Sequence, residues 1–232
     1  MAKVVNPPPG SFSFSTEFVV GSLVASAVIS YGMAYTILAL VPDPKAPPHA
    51  RGRWTGRKLD LAWFIWFVLH IPITLFIDCQ SIYPASIVPK SLSDVTDWYN
   101  AFSRDPVLVG VASRSREWAW MNIFLHMEFI IQLPCFILGA WGLWRNDKRV
   151  YPLLLLYGTT TATTVVPTLY YVMTETAIPA YTSINRYTFL GTYVPFLLIP
   201  AAIVLDMMVR IVRLIGIAEG RGVVVTEIKK RS

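Results

Sequence analysis

Long uncharged apolar runs alternate along the chain with shorter polar connections. Phe18 to Val41 holds no charged residue and carries the Gly, Ser and Ala that let helices approach closely. Leu61 to Ile77 is 17 residues long, rich in aromatics, and includes His70 and Pro72. Trp118 to Trp144 contains His126 and Glu128, with a tryptophan at each end as expected at a membrane–water boundary. Tyr151 to Met173 is rich in threonine, and Thr188 to Val209 ends near Asp206. About 20 apolar residues in a helix span the hydrocarbon core of a bilayer. The five runs predict an all-α integral membrane protein, a five-helix transmembrane bundle. Prolines at 72, 134, 167, 195 and 200 fall inside these runs. Neighbouring helices and hydroxyls can satisfy the carbonyls they free, so they do not overturn the assignment.

Composition agrees. Hydrophobic residues make up 54% of the 232 and charged residues 15%, against roughly 25% charged in soluble domains. The net charge of +6 would suit nucleic acid, but the basic residues sit between and after the apolar runs. That placement excludes nucleic acid as a partner and points to flanks of membrane spans. Lys and Arg number 14 in segments 42–60, 145–150 and 210–232, and 6 in the opposite set of connections. The richer side faces the cytosol, which makes the N-terminus lumenal and the C-terminus cytosolic. The chain then divides into a lumenal segment 1–17, an extra helix with a basic cytosolic loop 18–57, a four-helix unit 58–209 and a basic tail 210–232. No cleavable signal peptide is expected from the polar, proline-rich start, because the apolar run after it is too long for a signal's core. Within the lumenal connection 79–117, SLSDVTDWYNAF has a serine cap, early acids and aromatics at helical spacing. It predicts a short amphipathic helix across the lumenal mouth of the bundle. The ending KKRS puts Lys229 and Lys230 at the spacing of a dilysine retrieval signal, expected of a multi-pass endoplasmic reticulum membrane protein, the alternative being an ordinary basic flank.

Intramembrane acids carry the candidate chemistry. A carboxyl deep in a span costs about 3 kcal/mol unless it meets a partner or a cavity. Glu128 lies well inside its run, and Asp78 ends the Leu61 to Ile77 run. His70, Thr74 and Asp78 are four apart and predict one helical stripe, and Glu128, Gln132 and Cys135 predict another. His126 is two residues from Glu128 and points elsewhere, which argues against a metal pair. Facing carboxyls in a dry site share a proton, so the pair can bind a cation or give and take protons. The alternative is a polar knot that only pins helices together. The threonines at 159, 160, 161, 163 and 164 can bond back to the preceding turn beside Pro167, while Thr164 can also face a pocket. Tyr99, Trp118, Phe124 and Tyr193 are placed near a cavity. Cys79 and Cys135 read as buried free thiols. No zinc ligand set, phosphate loop or nucleophile–base motif is present, and no cofactor is expected.

The strings HIPITLFIDCQSIYP, DWYNAFSRDPVL, MEFIIQLPCF, TATTVVPTLYY and GTYVPFLLIP, in that order, resemble the EXPERA family over about residues 58 to 209. The likeness is to its sigma-2-receptor branch in particular, with the emopamil-binding sterol isomerases as relatives. The resemblance implies a small helical bundle whose internal pocket opens sideways into the lipid. It implies that Asp78 meets a ligand's cationic group, that Glu128 is the buried acid paired with it, and that Asp105 is structural. It also places Tyr193, Tyr99, His70, Thr164 and Gln132 on or beside the pocket wall. Two features depart from the receptor pattern. Phe18 to Val41 adds a fifth span, as in the isomerases, yet the isomerase histidine four residues before the Asp78 position is Thr74 here.

The leading expectation is an endoplasmic reticulum protein that binds sterol-like lipids and cationic amphiphiles through paired carboxylates, in sterol or lipid homeostasis. The runner-up is a sterol or terpenoid isomerase or cyclase in which Asp78 and Glu128 are the catalytic acid and base. Partners expected are a sterol or terpenoid lipid, the membrane lipids, and a membrane protein or a second copy of the chain. On the charge count, a glycosylation acceptor grafted ahead of Phe12 is expected to be modified, and one grafted after Ser232 is not. Modification of the tail alone would reverse the topology.

Overall fold

The computed structural model describes residues 57–84, 86–103, 105–113, 115–174 and 183–220, with Trp54 and the helical positions Val24, Val28 and Gly32. The rest of the predicted first span lies outside the described residues, as do Lys229 and Lys230. Helix α1 (Lys58–Phe76) runs into a 3-10 turn (Asp78–Ser81), and α2 (Lys90–Ser103) and α3 (Pro106–Ala112) come next. A continuous helical rod then spans 116–144: a 3-10 turn (Arg116–Trp118), α4 (Ala119–Met127), a π-turn (Glu128–Gln132) and α5 (Leu133–Trp144). After a 3-10 turn (Lys148–Val150) come α6 (Tyr151–Thr174) and α7 (Ser183–Ala218). Among the described residues there is no strand.

Among the described residues three helical stretches are long and apolar enough to cross a membrane: Lys58–Ser81, Arg116–Trp144 and Phe189–Ala218. Helix α6 has the length, 24 residues, but its threonines dilute the apolar run and leave it outside that set. Helix α1 packs along α5, and α6 lies along α7. The two pairs meet where Phe67, Phe136 and Tyr157 bury their rings edge to edge, with Tyr157 centroids 5.1 Å from each phenylalanine. Gly158 lets α6 approach α7, since a Cβ there would meet the Pro200 carbonyl and Val204. The outward faces stay apolar, with Ile65, Val68 and Leu69 on α1 and Leu198, Leu205 and Val212 on α7 exposed. Such faces suit lipid rather than water.

Local chemistry sets the helix ends. Asp105 caps α3, accepting from the Val107 and Leu108 amides at 2.9 and 3.3 Å, with Pro106 in the first turn where its missing N–H costs nothing. This explains Asp105 as a structural residue and adds α3, a short helix that the apolar pattern of the connection does not announce. The run GLWRND ends α5 in a Schellman motif. Asn146 takes φ 57°, its amide bonds the Leu143 carbonyl at 3.1 Å, and the Asp147 amide bonds that of Gly142 at 2.8 Å. Burial alone would raise the Asp147 carboxyl, but Arg149, paired with it at 2.6 Å, holds it below the ordinary range.

Two expectations need correction. Trp118, at the end of its span, turns into the protein and not outward: it is buried, its ring filling the space that a Gly110 Cβ would occupy. Helix α7 continues past Val209 to Ala218, so Arg210 is a helical residue and not the start of a tail. The cause is a charge cluster that the apolar periodicity hides. The Arg210 guanidinium bonds Asp60, Asp206 and the Tyr151 hydroxyl. Asp60 also meets Arg57 at 2.7 Å, Arg57 donates to the Leu143 carbonyl, and the Trp63 indole donates to Asp206 at 2.8 Å. Helices α1, α5, α6 and α7 are thereby fastened at one end. Removing one partner of a buried ion pair leaves a charge without compensation. Asp60→Ala is therefore expected to lower stability by about 3 kcal/mol, read as earlier thermal unfolding in detergent. Arg213→Ala, at an exposed position on the same helix, is expected to change it by less than about 0.5 kcal/mol.

Candidate functional site

The opposite end of the bundle gathers most of the candidate residues. Helix α1 stops at Phe76, and Asp78 opens the 3-10 turn behind it. Asp78 lies just past the α-helical part of the predicted stripe but meets the same partner, Glu128, as Thr74 does. The tighter turn swings its carboxyl toward the rod, where it hydrogen-bonds Glu128. Glu128 stands at the start of the π-turn, which adds a residue to one helical turn and rotates the downstream half of the rod by roughly 100°. Gln132 accepts from the Thr161 hydroxyl at 2.8 Å, and Glu128 and the buried Cys135 both lie beside Tyr157, one turn away on α6.

Thr74, completely buried, donates to Glu128 Oε1 at 2.5 Å. It is the proximate support of the acid pair. A hydrogen bond between two carboxyls needs a proton on one of them, and a donating hydroxyl then favours the charge on the other. Cys79 lies next to both acids and bonds the Tyr83 hydroxyl. Asp78 and Glu128 are partly buried residues, in contrast to the closed Thr74 between their elements.

A second layer covers the pair. Tyr193 on α7 donates to Asp105 at 2.8 Å and lies near both Tyr99 of α2 and Asp78. Burial pushes the Asp105 carboxyl above the ordinary aspartate range, and the bonds from Tyr193 and the α3 amides offset this only in part. Asp105 thus has two jobs: it caps α3 and orients the tyrosine that overlooks Asp78.

The remaining candidates sit elsewhere. His70 packs its ring on Trp66, at 3.9 Å between centroids, and against Phe136 and Phe196. Its Nδ1 meets the Trp66 carbonyl at 2.6 Å, while Nε2 is buried without a bonded partner. Phe124 is partly buried and edges against Trp120 at 5.6 Å. Thr164 returns its hydroxyl to the Thr160 and Thr161 carbonyls, and Thr160 and Thr163 do the same to the turn before them. His126 meets the Asn122 carbonyl, away from Glu128. Cys79 and Cys135 are both free and buried. Among the described residues no group of three His, Cys, Asp or Glu could hold a metal.

Sequence reasoning missed one polar ladder. The Trp66 indole donates to the Tyr157 hydroxyl at 2.7 Å, Tyr157 bonds Thr161, and Thr161 bonds Gln132. It joins α1, α6 and the π-turn beneath the acids. The only available signal was that tryptophan and tyrosine bury their polar tips with partners, which does not say which partner.

Comparison with known proteins finds a family and several relatives. The family described as EXPERA (EXPanded EBP superfamily) matches residues 91–207. A Xenopus tropicalis protein named Sigma intracellular receptor 2 is 29% identical over 159 residues, covering 66% of this chain and 90% of its own. Its Homo sapiens counterpart is 29% identical over 163 residues, with 66% and 89% covered. A Schizosaccharomyces pombe protein named Efficient mitochondria targeting-associated protein 19 is 24% identical over 161 residues, with 68% and 80% covered. This is a multi-pass, all-helical membrane protein in its described part, and the chain belongs to the EXPERA family.

Proposed function

We propose that the chain binds sterol-like lipids and cationic amphiphiles within the membrane, with Asp78 and Glu128 as the polar anchor. The observation that carries this reading is the contact between the carboxyls of two partly buried residues within membrane-spanning helical stretches. The neighbours around them are a threonine, a cysteine thiol and two tyrosines. At the other end of the bundle the arginines supply the compensating charge. The acid pair has hydroxyls instead, so an amine entering from the lipid would supply the cation. A neutral sterol would use the same group through its hydroxyl, and its rings would lie along aromatic and aliphatic walls. The endoplasmic reticulum is the proposed site of action, with a role in sterol or lipid homeostasis.

The same pair could move protons on a sterol or terpenoid, and one residue weighs against that second reading. Thr74 fixes Glu128 from the position where the resemblance to the isomerases would require a histidine. A hydroxyl with an ordinary alcohol's acidity does not serve as a base at neutral pH.

Asp78→Asn is expected to weaken a fluorescent long-chain tertiary amine by about 2–5 kcal/mol, the range for breaking a desolvated charge pair. Glu128→Gln is expected to weaken it by a smaller or comparable amount. Both proteins are expected to stay folded, because an amide is cheaper to bury than a carboxylate. A well-folded Asp78→Asn protein that binds the amine as tightly as the parent would overturn the reading. Membranes containing the parent chain, incubated with unsaturated sterols and terpenoids, are expected to give no rearranged product by mass spectrometry. A product that vanishes with Glu128→Gln would establish the enzyme instead.

A further inference from the structure

Helix α2 (Lys90–Ser103) is not accounted for by the site it helps to cover. At about 100° per residue its side chains fall into three stripes. Leu92, Thr96, Tyr99 and Asn100 are half-buried and turn toward the bundle, with Tyr99 beside Tyr193. Lys90, Asp94, Asp97 and Ala101 form an exposed stripe in which Lys90 pairs with Asp94 at 2.6 Å. Between these two, Val95, Trp98 and Phe102 form an exposed apolar stripe, with Trp98 and Phe102 each 65% exposed. Those two rings stack on each other, centroids 5.7 Å apart and planes 4° from parallel. A stacked aromatic pair held in water next to a charged stripe would be an unexplained cost.

We propose that α2 is an interfacial anchor, with Val95, Trp98 and Phe102 seated at the headgroup–acyl boundary of the leaflet at the Asp105 end of the bundle. Three observations select lipid as the occupant. The helix is tethered at that level, since only residues 82–89 separate it from the end of the membrane-spanning stretch Lys58–Ser81. It packs against α7, which belongs to a second such stretch, so the side turned away from the bundle meets whatever surrounds those spans. The apolar belt also continues along the chain through exposed Phe76, Ile77 and Ile87. Tryptophan and phenylalanine beside a charged stripe are the composition of a helix lying in the membrane plane. Binding to the leaflet would hold Tyr99 over Tyr193, and so keep the cover of the acid pair in place.

Single cysteines at Val95, Trp98 and Phe102, and at Asp94, Asp97 and Ala101, carry a nitroxide label in the protein reconstituted into phosphatidylcholine vesicles. The parent chain, whose Cys79 and Cys135 are buried, gives the background. Oxygen, which concentrates in lipid, is expected to relax the first three labels more than a water-soluble nickel chelate does. The order is expected to reverse at the other three. As a second reading, Trp98→Phe is expected to lose part of the fluorescence quenching that brominated lipids cause in the parent. Labels at 95, 98 and 102 as open to the nickel chelate as those at 94 and 97 would overturn the proposal. So would immobile labels shielded from both reagents, which would mean that a protein surface covers the stripe.

Discussion

Two carboxyls in hydrogen-bond contact inside an apolar bundle restrict every element that touches them. Neither can turn away without leaving the other buried alone, at a cost of several kcal/mol. The chain meets that restriction in three places. Helix α1 ends early, so that the 3-10 turn can aim Asp78 at the rod. The rod inserts a π-turn at Glu128, and Thr74 closes the space beneath with a hydroxyl of fixed direction. Pro134 at the start of α5 suits this break, because its missing amide falls where the regular ladder is already interrupted.

The two ends of the bundle treat buried acid in opposite ways. Around Asp60 and Asp206 the charges are matched by Arg57 and Arg210, and the cluster draws further bonds from Trp63 and Tyr151. Nothing about that end invites a ligand, since each group already has its counter-group. Around Asp78 and Glu128 the neighbours among the described residues are groups that can orient a charge but not neutralise it. The contrast separates a clamp from a site more clearly than depth of burial does, because both are deep and both contain two acids.

Much of this was legible from the sequence. The apolar runs located α1, the 116–144 rod and α7, because a span is a property of composition over a long window. The helical spacing of SLSDVTDWYNAF located α2, although the helix begins at Lys90, ahead of the expected serine cap, and holds no acid in its first turn. The cost of intramembrane charge singled out Asp78 and Glu128. What the sequence hid was register. A pattern of fours assumes an unbroken α-helix, and both acids sit where the α-helix stops being regular. The partners of Tyr157, Gln132 and Arg210 were equally hidden, since each bond joins residues far apart in the chain. Arg210 looked like a flank because hydropathy averages a single ion pair away. His70 and Thr74 share a helix face, yet one meets aromatic rings and the other an acid. Spacing alone does not distinguish those outcomes.

The π-turn has a consequence for how this rod could change over evolutionary time. An added residue at Glu128–Gln132 puts the two halves of one helix out of phase. Asn122, Leu125 and His126 pack ahead of it, and Phe136, Gly139 and Leu143 pack behind it, each set with its own azimuth. In a regular helix, a rotation that re-aims one side chain must move all of them together. Here the joint lets the half nearer the acids drift in sequence and orientation while the half against α1 and α6 keeps its packing. Such a rod can acquire a new specificity at one end without renegotiating the fold at the other.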